Sequence, residues 1–331
     1  HRGPDAGEIW QSGNNICGFS HRRLSIIDLS NAGIQPMSSS DGRYTIVFNG
    51  EIYNFQEIKD ELISKGLKFR SHSDTEVLIE GYRYFGKEII DKLVGMWAFA
   101  IWDNVTEELF CCRDRIGIKP FYYYYKDNLF VFSSEIKAIL VHPEVKKELN
   151  FKELPNYLTF GMSSKHESLF SGIKKLESGS FLTIKKSSIE WKKYWTPLGT
   201  TNNDISFEEA GIEIVRLLRE AVKSRMISDV PFGVFLSGGI DSSLNVALMA
   251  ELMDRPIDTY TVGFKELEKY NELKYAHKVA EQFGTNHNEI LIDHNDCIDI
   301  IGDIAWHTDE PNGDPVCMPL YFLSKLTHES G

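Results

Sequence analysis

Residues 230–243 read VPFGVFLSGGIDSS, an apolar run from Val230 to Leu236 that breaks into Ser-Gly-Gly and resumes after Asp241 with helix-compatible residues. The apolar half predicts a buried strand and the half after Asp241 a helix. Between them Gly238 and Gly239 remove the side chains that would keep a polyphosphate away, while the helix start turns unpaired N–H groups and a partial positive charge toward it. The segment therefore reads as an anion cradle. Asp241 does not belong in a simple anion site, so a cation must lie between it and the phosphate oxygens, and Mg²⁺ suits that position. The competing reading is a Ser/Gly loop in which Asp241 merely caps the helix.

The surrounding pattern alternates. Helical periodicity runs from Phe207 to about Met226, Asp241 to Met253 and Glu272 to Phe283, and strand-like runs end at Leu236, Gly263 (from Ile257) and Ile292 (from His287). This β-α-β-α-β order predicts an α/β parallel sheet with helices on both faces, whose ligands bind at the carboxyl ends of the strands, where the Ser-Gly-Gly loop falls. The string S-G-G-x-D-S-S resembles the PP-loop of ATP pyrophosphatases, which cleave ATP to AMP and pyrophosphate while activating a carboxylate or carbonyl. A rival phosphate loop, GYRYFGKE at Gly81 to Glu88, nearly matches G-x-x-x-x-G-K-S/T. There Glu88 takes the hydroxyl position, and Asp74 to Phe85 has helical rather than strand-then-loop character.

The 331 residues, 42% of them hydrophobic, suffice for two domains with cores of their own. A net charge of −12 without any basic run argues against general nucleic-acid binding. No apolar stretch reaches the roughly 18 residues of a membrane span, and the opening HRGPD is not a signal peptide, so a cytoplasmic protein is expected. Cys17, Cys111, Cys112, Cys297 and Cys317 form no C-x-x-C pair and are odd in number, against a disulfide framework or a zinc site.

The turn-rich stretch TPLGTTNNDIS, Thr196 to Ser206, is the expected linker between residues 1–195 and 207–331. Before it, strand-like runs dominate: Arg43 to Phe48, Met96 to Trp102, Leu109 to Cys112, Phe121 to Tyr125 and Leu129 to Phe132. Short connections join several of them, Asp103-Asn104 and Lys126-Asp127-Asn128 among them. Helical patterns from Gln56 to Lys65 and Asp74 to Phe85 end at Gly66 and Gly86. Runs of strands with helices segregated between them predict an α+β sandwich.

Three polar constellations interrupt these strands: HRRLSIID at His21 to Asp28, NGEIYN at Asn49 to Asn54, and SHSDTEV at Ser71 to Val77. Singly each has a plain explanation, with Arg23 as a surface charge, Asn49-Gly50 as a hairpin turn and Asp74 as a helix N-cap. Together with HRGPD at His1 to Asp5 and RDRIGIKPFYY at Arg113 to Tyr123, they resemble the class II glutamine amidotransferases of the N-terminal-nucleophile fold. With the PP-loop segment following, the arrangement resembles the glutamine-hydrolysing asparagine synthetases nearly end to end.

The resemblance implies roles. Arg23, in the segment Arg23-Leu24-Ser25-Ile26-Ile27, would bind the glutamine α-carboxylate, and Asp74 with the Glu51 region its α-ammonium. Asn49, through its amide, and Gly50, through its N–H, would form the oxyanion hole. Leu236, Ser237, Gly238, Gly239, Asp241, Ser242, Ser243 and Val262 would bind ATP, with Asp241 on Mg²⁺. The family's nucleophile is an N-terminal cysteine a few dozen residues before HRGPD, and further ATP-site elements follow later than Gly331. The chain is accordingly expected to be truncated at both ends and inactive as a glutaminase. DEPNGDP, Asp309 to Pro315, is a candidate acceptor-pocket stretch or a turn, and His287 a structural histidine. Met96 to Trp102 and Phe121 to Tyr125 are candidate ammonia-tunnel walls or simply core. The expected reaction is ATP-dependent amidation of aspartate through β-aspartyl-AMP, with glutamine, aspartate and ATP as partners and a homodimer left open. The alternatives are a different carboxylate acceptor and a non-catalytic nucleotide-binding fragment.

Overall fold

The structure is a computed structural model that describes every residue except 187, 200–203, 267, 268, 270 and 331. The middle of the expected linker and the last residue of the second expected domain thus lie outside the described residues. Two compact units emerge, His1–Tyr157 with Ser163–Thr201, and Leu158–Met162 with Asn202–Gly331. The chain is a mixed α/β protein with several sheets.

Along the first part of the chain run β1 (Ala6–Gln11), β2 (Gly18–Arg23), β3 (Met37–Ser38), β4 (Tyr44–Ile52), α1 (Phe55–Ser64), α2 (Asp74–Phe85), α3 (Ile89–Lys92), β5 (Gly95–Asp103), β6 (Glu108–Arg113), β7 (Tyr122–Lys126), β8 (Leu129–Ser133), α4 (Ile136–Ile139), α5 (Leu154–Phe160), β9 (Ile173–Lys175), β10 (Ser180–Lys185) and β11 (Ser188–Lys193). An antiparallel sheet has the order β11-β10-β6-β5-β4-β3, a second β8-β7-β9, and β1 pairs with β2. Period-two alternation sends the two faces of the larger sheet into different cores. Ile46, Phe48, Ile52, Trp97, Phe99 and Ile101 pack with Leu62 of α1 and Val77 and Leu78 of α2. Val47, Ala98, Ala100 and Trp102 pack on the other side with Phe121 and, from the smaller sheet, Tyr123, Phe130 and Phe132. The smaller sheet turns Tyr122, Tyr124 and Ile173 outward onto Ile136 and Ile139 of α4. The layers are therefore helix, sheet, sheet, helix, and the two runs considered as tunnel walls lie within packed core. Each fully buried large apolar side chain contributes on the order of 1.5–3 kcal/mol. At the β7–β8 turn Asp127 and Asn128 both take positive φ, 51° and 67°, the backbone of a two-residue hairpin.

The second unit contains α6 (Phe207–Arg225), β12 (Gly233–Phe235), α7 (Ile240–Leu252), β13 (Asp258–Phe264), α8 (Leu273–Phe283), β14 (Asn286–Ile292), α9 (His294–Asp299), α10 (Ile301–Thr308) and α11 (Cys317–Glu329). A capping box starts α6, Ser206 Oγ accepting from the Glu209 N–H at 3.2 Å while Glu209 Oε2 accepts from the Ser206 N–H at 2.9 Å. Gly284, at φ 63°, ends α8. The three strands pair in parallel in the order β12-β13-β14, as the alternation predicts. One face packs Leu236 and Ile257 against Val246 and Met249 of α7 and Ala276 and Ala280 of α8. The other packs Val262, Phe264, Ile290 and Ile292 against Phe322 of α11. Among the described residues no helix is long and apolar enough to cross a membrane.

Candidate active sites

Asn49 and Gly50 lie inside β4, opposite Ala98 and Trp97 of β5, and not in a turn. The hairpin reading of this dipeptide is thereby overturned. A Cβ on Gly50 would stand 2.2 Å from the Met96 carbonyl oxygen, so only glycine lets β5 approach this closely. The orientation of the Gly50 N–H follows from its neighbours. Phe48 N–H donates to Gln35 Oε1 at 2.6 Å and Ile52 N–H to Asp74 Oδ2 at 3.0 Å, both off the edge of the sheet, whereas the Tyr53 N–H turns back to Val94 O at 2.7 Å. Residue 50 shares the parity of 48 and 52, so its N–H faces the same open edge. The Asn49 amide donates to Ser134 Oγ at 3.2 Å, just past β8.

Asp74 stands at that edge. Ser73 is the N-cap of α2, its hydroxyl accepting from the Thr75 N–H, so the N-cap reading of Asp74 is corrected by one residue. The Asp74 side chain, only 6% exposed, is thereby released to reach β4. Burial raises its pKa to about 6, with the Glu51 charge adding to the rise and the Ile52 and Thr75 N–H groups opposing it.

Arg23 ends β2 and is buried, not a surface charge. Its guanidinium donates to the carbonyls of Ser30 (2.9 Å), Ile27 (3.2 Å) and Asp28, holding the 24–30 loop in a tight ring. Gly33 passes so close that a Cβ there would be 2.2 Å from Arg23 Nη2. Within the loop Leu24 is exposed, Ile26 and Ile27 are half-buried, and the Ser25 N–H donates to Asp5 Oδ2 at 2.7 Å. HRGPD thus abuts Arg23. Asp28 ties the loop to the Asp74 segment, with Oδ1 accepting from Ser30 Oγ at 2.5 Å and Oδ2 from the His72 N–H at 2.8 Å. Burial works to raise the Asp28 pKa, but the Ser30 hydroxyl, the His72 and Ser30 N–H groups and the Arg23 charge hold it below its ordinary value.

In the second unit β12 runs into Leu236, whose N–H bonds Tyr260 O at 2.9 Å and whose carbonyl accepts from the Thr261 hydroxyl. Gly238 has φ 79°, and a Cβ there would meet Tyr275 and the Ala276 nitrogen at 2.5 Å. The N-cap of α7 is Gly239, so Asp241 is no cap but an exposed carboxylate in the first turn. Ser237 Oγ accepts from the Gly239 N–H at 3.2 Å and meets Ser242 Oγ at 3.0 Å, while the Ser243 N–H bonds Gly239 O at 3.0 Å. Val262, near the carboxyl end of β13, is half-buried. A loop that would clash with any Cβ at Gly238, has no side chain at its cap, and carries one exposed carboxylate fits a Mg²⁺-bound polyphosphate.

Comparison with known proteins completes the picture. Residues 1–195 match the family described as glutamine amidotransferase domain, and residues 213–331 that described as asparagine synthase. Glutamine-hydrolysing asparagine synthetases 3 and 1 of Bacillus subtilis are 35% and 38% identical, over 94% and 98% of this chain. The chain belongs to the glutamine-hydrolysing asparagine synthetase family. It spans about half the length of these curated relatives, 52% and 50%. A protein of Gibberella zeae named amidase chry2 is 32% identical over the whole chain and 51% of its own length. A solved glutamine phosphoribosylpyrophosphate amidotransferase from B. subtilis aligns over 82% of this chain and 51% of its own at 16% identity, with a TM-score of 0.39.

Several residues in this family member support the site without having been assigned a role from the sequence. Gln35, buried, accepts from Phe48 and donates to Thr75 Oγ1 at 3.2 Å, linking β4 to α2. Asp114, inside RDRIGIKP, accepts the N–H groups of Gly117 (2.6 Å), Ile118 (2.9 Å) and Lys119 (2.9 Å), while Arg113 donates to three carbonyls around it. That motif is a folded loop brace. Burial pushes the Cys17 and Cys112 thiols up to about 12 and Cys111 well above its ordinary value, and raises Cys297, which leaves these four as poor nucleophiles.

Proposed function

We propose that this chain carries the glutamine site and the ATP site of an enzyme that amidates aspartate to asparagine. The reading rests above all on the open edge of β4, where the Gly50 N–H and a buried Asp74 converge between two braced loops. Glutamine would set its α-ammonium on Asp74 with Glu51 nearby. Its α-carboxylate would lie on the Arg23 loop, Leu24 to Ile27, and on the guanidinium N–H groups not spent on loop carbonyls. Attack of a cysteine thiolate on the amide develops an oxyanion, which the Asn49 amide and the Gly50 N–H stabilise. The attack is not assigned to Cys17, Cys111, Cys112 or Cys297, whose thiols burial protects from ionisation. The layered first unit is in keeping with an N-terminal-nucleophile sandwich of residues 1–195, and the parallel sheet of 207–331 with a PP-loop domain.

In the second unit Gly238 and Gly239 would let the ATP phosphates approach the backbone, with Ser237, Ser242 and Ser243 donating hydroxyls and Leu236 and Val262 flanking the nucleotide. The aspartate β-carboxylate would attack the α-phosphorus and break its bond to the β-phosphate oxygen, releasing pyrophosphate, and Asp241 would hold a Mg²⁺ that neutralises the phosphate charge. Ammonia then displaces AMP from β-aspartyl-AMP. Because ammonia carries a nucleophilic lone pair only when unprotonated, its release at neutral pH away from water favours the transfer. Aspartate-dependent exchange of labelled pyrophosphate into ATP, together with asparagine and AMP formation, tests the assignment.

A second reading keeps the chemistry and changes the acceptor, and the similarity to a protein named as an amidase favours weighing it. Exchange supported by another carboxylic acid and not by aspartate would select it. Exchange with no acid at all would leave only nucleotide binding.

A further inference from the structure

Outside both sites, two imidazoles and a carboxylate of the second unit face one another. His287 and Glu289 sit two residues apart on β14 and so share the face turned to α8, which contributes His277. Glu289 Oε1 lies 3.0 Å from His287 Nε2 and 4.0 Å from His277 Nδ1, and one ligand atom of each residue falls within 4.8 Å of the others. We propose that His277, His287 and Glu289 form a binding site for a zinc-type divalent cation, a site distinct from the Asp241 position.

The chemistry suits such an ion. Two imidazole nitrogens and one carboxylate are a known three-ligand set for Zn²⁺, with a fourth position left to water. Metal–ligand bonds near 2.0–2.2 Å put tetrahedral ligand atoms about 3.4 Å apart, so the widest separation has to close by up to about 1.4 Å while the 3.0 Å Glu289–His287 pair opens by about 0.4 Å. His277 can supply that movement, because its side chain is 71% exposed and turns about its own χ angles. His287 is already oriented. Its Nδ1 lies 2.9 Å from Thr259 Oγ1, which in turn lies 2.8 Å from Thr285 Oγ1, and Thr259 is fully buried. With Nδ1–H donating to Thr259 and the Thr259 hydroxyl donating to Thr285, the Nε2 lone pair is directed at the metal. That is the outer hydrogen bond that fixes the tautomer of metal-ligating histidines. The cysteine pattern, which argues against a zinc site, does not address this one.

The position gives the site a consequence. Gly238 packs against the backbone of Tyr275 and Ala276, the residues immediately before His277. An ion bridging His277 to β14 ties down the helical turn on which the Ser-Gly-Gly loop rests.

Titration of tag-free protein with Co²⁺ at neutral pH in a non-coordinating buffer tests the site. We expect one Co²⁺ per chain with visible absorption of a low-coordinate nitrogen/oxygen site, displaced by one equivalent of Zn²⁺. His277→Ala and Glu289→Gln should each weaken binding at least tenfold with an unchanged far-ultraviolet spectrum, since both side chains are substantially exposed. His294→Ala, at a histidine that pairs with Glu266 elsewhere on the unit, should leave binding intact. Absence of stoichiometric binding, binding indifferent to both His277→Ala and Glu289→Gln, or equal loss in His294→Ala would each overturn the proposal.

Discussion

Replacing Asp74 by asparagine tests whether the carboxylate at the β4 edge is held against its own stability. Burial lifts its pKa from 3.8 to about 6, which corresponds to roughly 3 kcal/mol at about 1.36 kcal/mol per pH unit. The sign follows from linkage. A carboxyl with a raised folded pKa stabilises the fold fully below the unfolded value near 3.8 and loses that contribution as pH rises through 6. Asparagine keeps an oxygen for the Ile52 N–H and carries no charge, so Asp74→Asn should match wild type near pH 4 and exceed it by up to about 3 kcal/mol at pH 7.5. Urea unfolding followed by tryptophan fluorescence at pH 4.5, 6 and 7.5 measures the difference, and groups common to both proteins cancel. Glutamine should bind the wild type and not the variant, because its ammonium supplies the charge that burial withholds. A variant less stable at pH 7.5, or a stability difference flat across this range, would refute the argument, and retained glutamine binding would remove Asp74 from the substrate site.

In the full-length enzyme Asn49→Ala should lower glutamine-dependent asparagine formation by about 10²- to 10³-fold, the scale of one oxyanion-hole donor, while synthesis from ammonium salt is spared; an unchanged ratio of the two rates removes the role. Gly50→Ala puts a Cβ 2.2 Å from a backbone oxygen and should cost on the order of 1–3 kcal/mol or more, read as a lower urea midpoint. In the full-length enzyme Asp241→Ala should abolish pyrophosphate exchange at saturating Mg²⁺ with no change in melting temperature, because the side chain is exposed and Gly239 is the cap; persistent exchange would exclude the metal role. Gly238→Ala, by contrast, should lose both exchange and stability, since the position combines φ 79° with backbone contact to α8.

What the sequence made legible follows periodicity. The strands with apolar alternation and the helices ending at glycine, from β4 through β8 and from α6 through β14, lie within a residue or two of their expected positions, with two exceptions: β4 runs four residues further, and β12, expected as a buried strand from Val230, begins only at Gly233 and leaves Gly233 and Phe235 exposed. Of the elements that escaped, β10 carries an apolar signal in Phe181 and Leu182, whereas β11 and β1 do not. Every residue of β11 is exposed, and its place is set only by its register with β10. In β1 four of six residues face solvent, so nothing in the pattern announces a strand.

The candidate site residues are marked by resemblance and not by their local pattern, because local chemistry and tertiary contact pull against each other there. Asn-Gly is a turn dipeptide by propensity, yet it continues β4 because the absent Cβ of Gly50 admits β5 on one side while its N–H is left to the open edge. Asp before a hydrophobic helix is a cap by propensity, yet Ser73 takes that task and frees Asp74 for β4. Arg23 reads as a surface charge until Ile27, Asp28 and Ser30 turn their carbonyls onto it, and Asp28 and Gln35 act through partners some 44 and 13 residues away. At Gly50 and Asp74 the locally favoured role is blocked by packing or occupied by a neighbour, and the displaced group is the one aimed at the open edge. The same displacement separates Asp241 from its expected cap. A polar residue whose ordinary structural task is already done by the residue beside it is therefore, in this chain, the stronger candidate for contact with substrate than one that still performs that task.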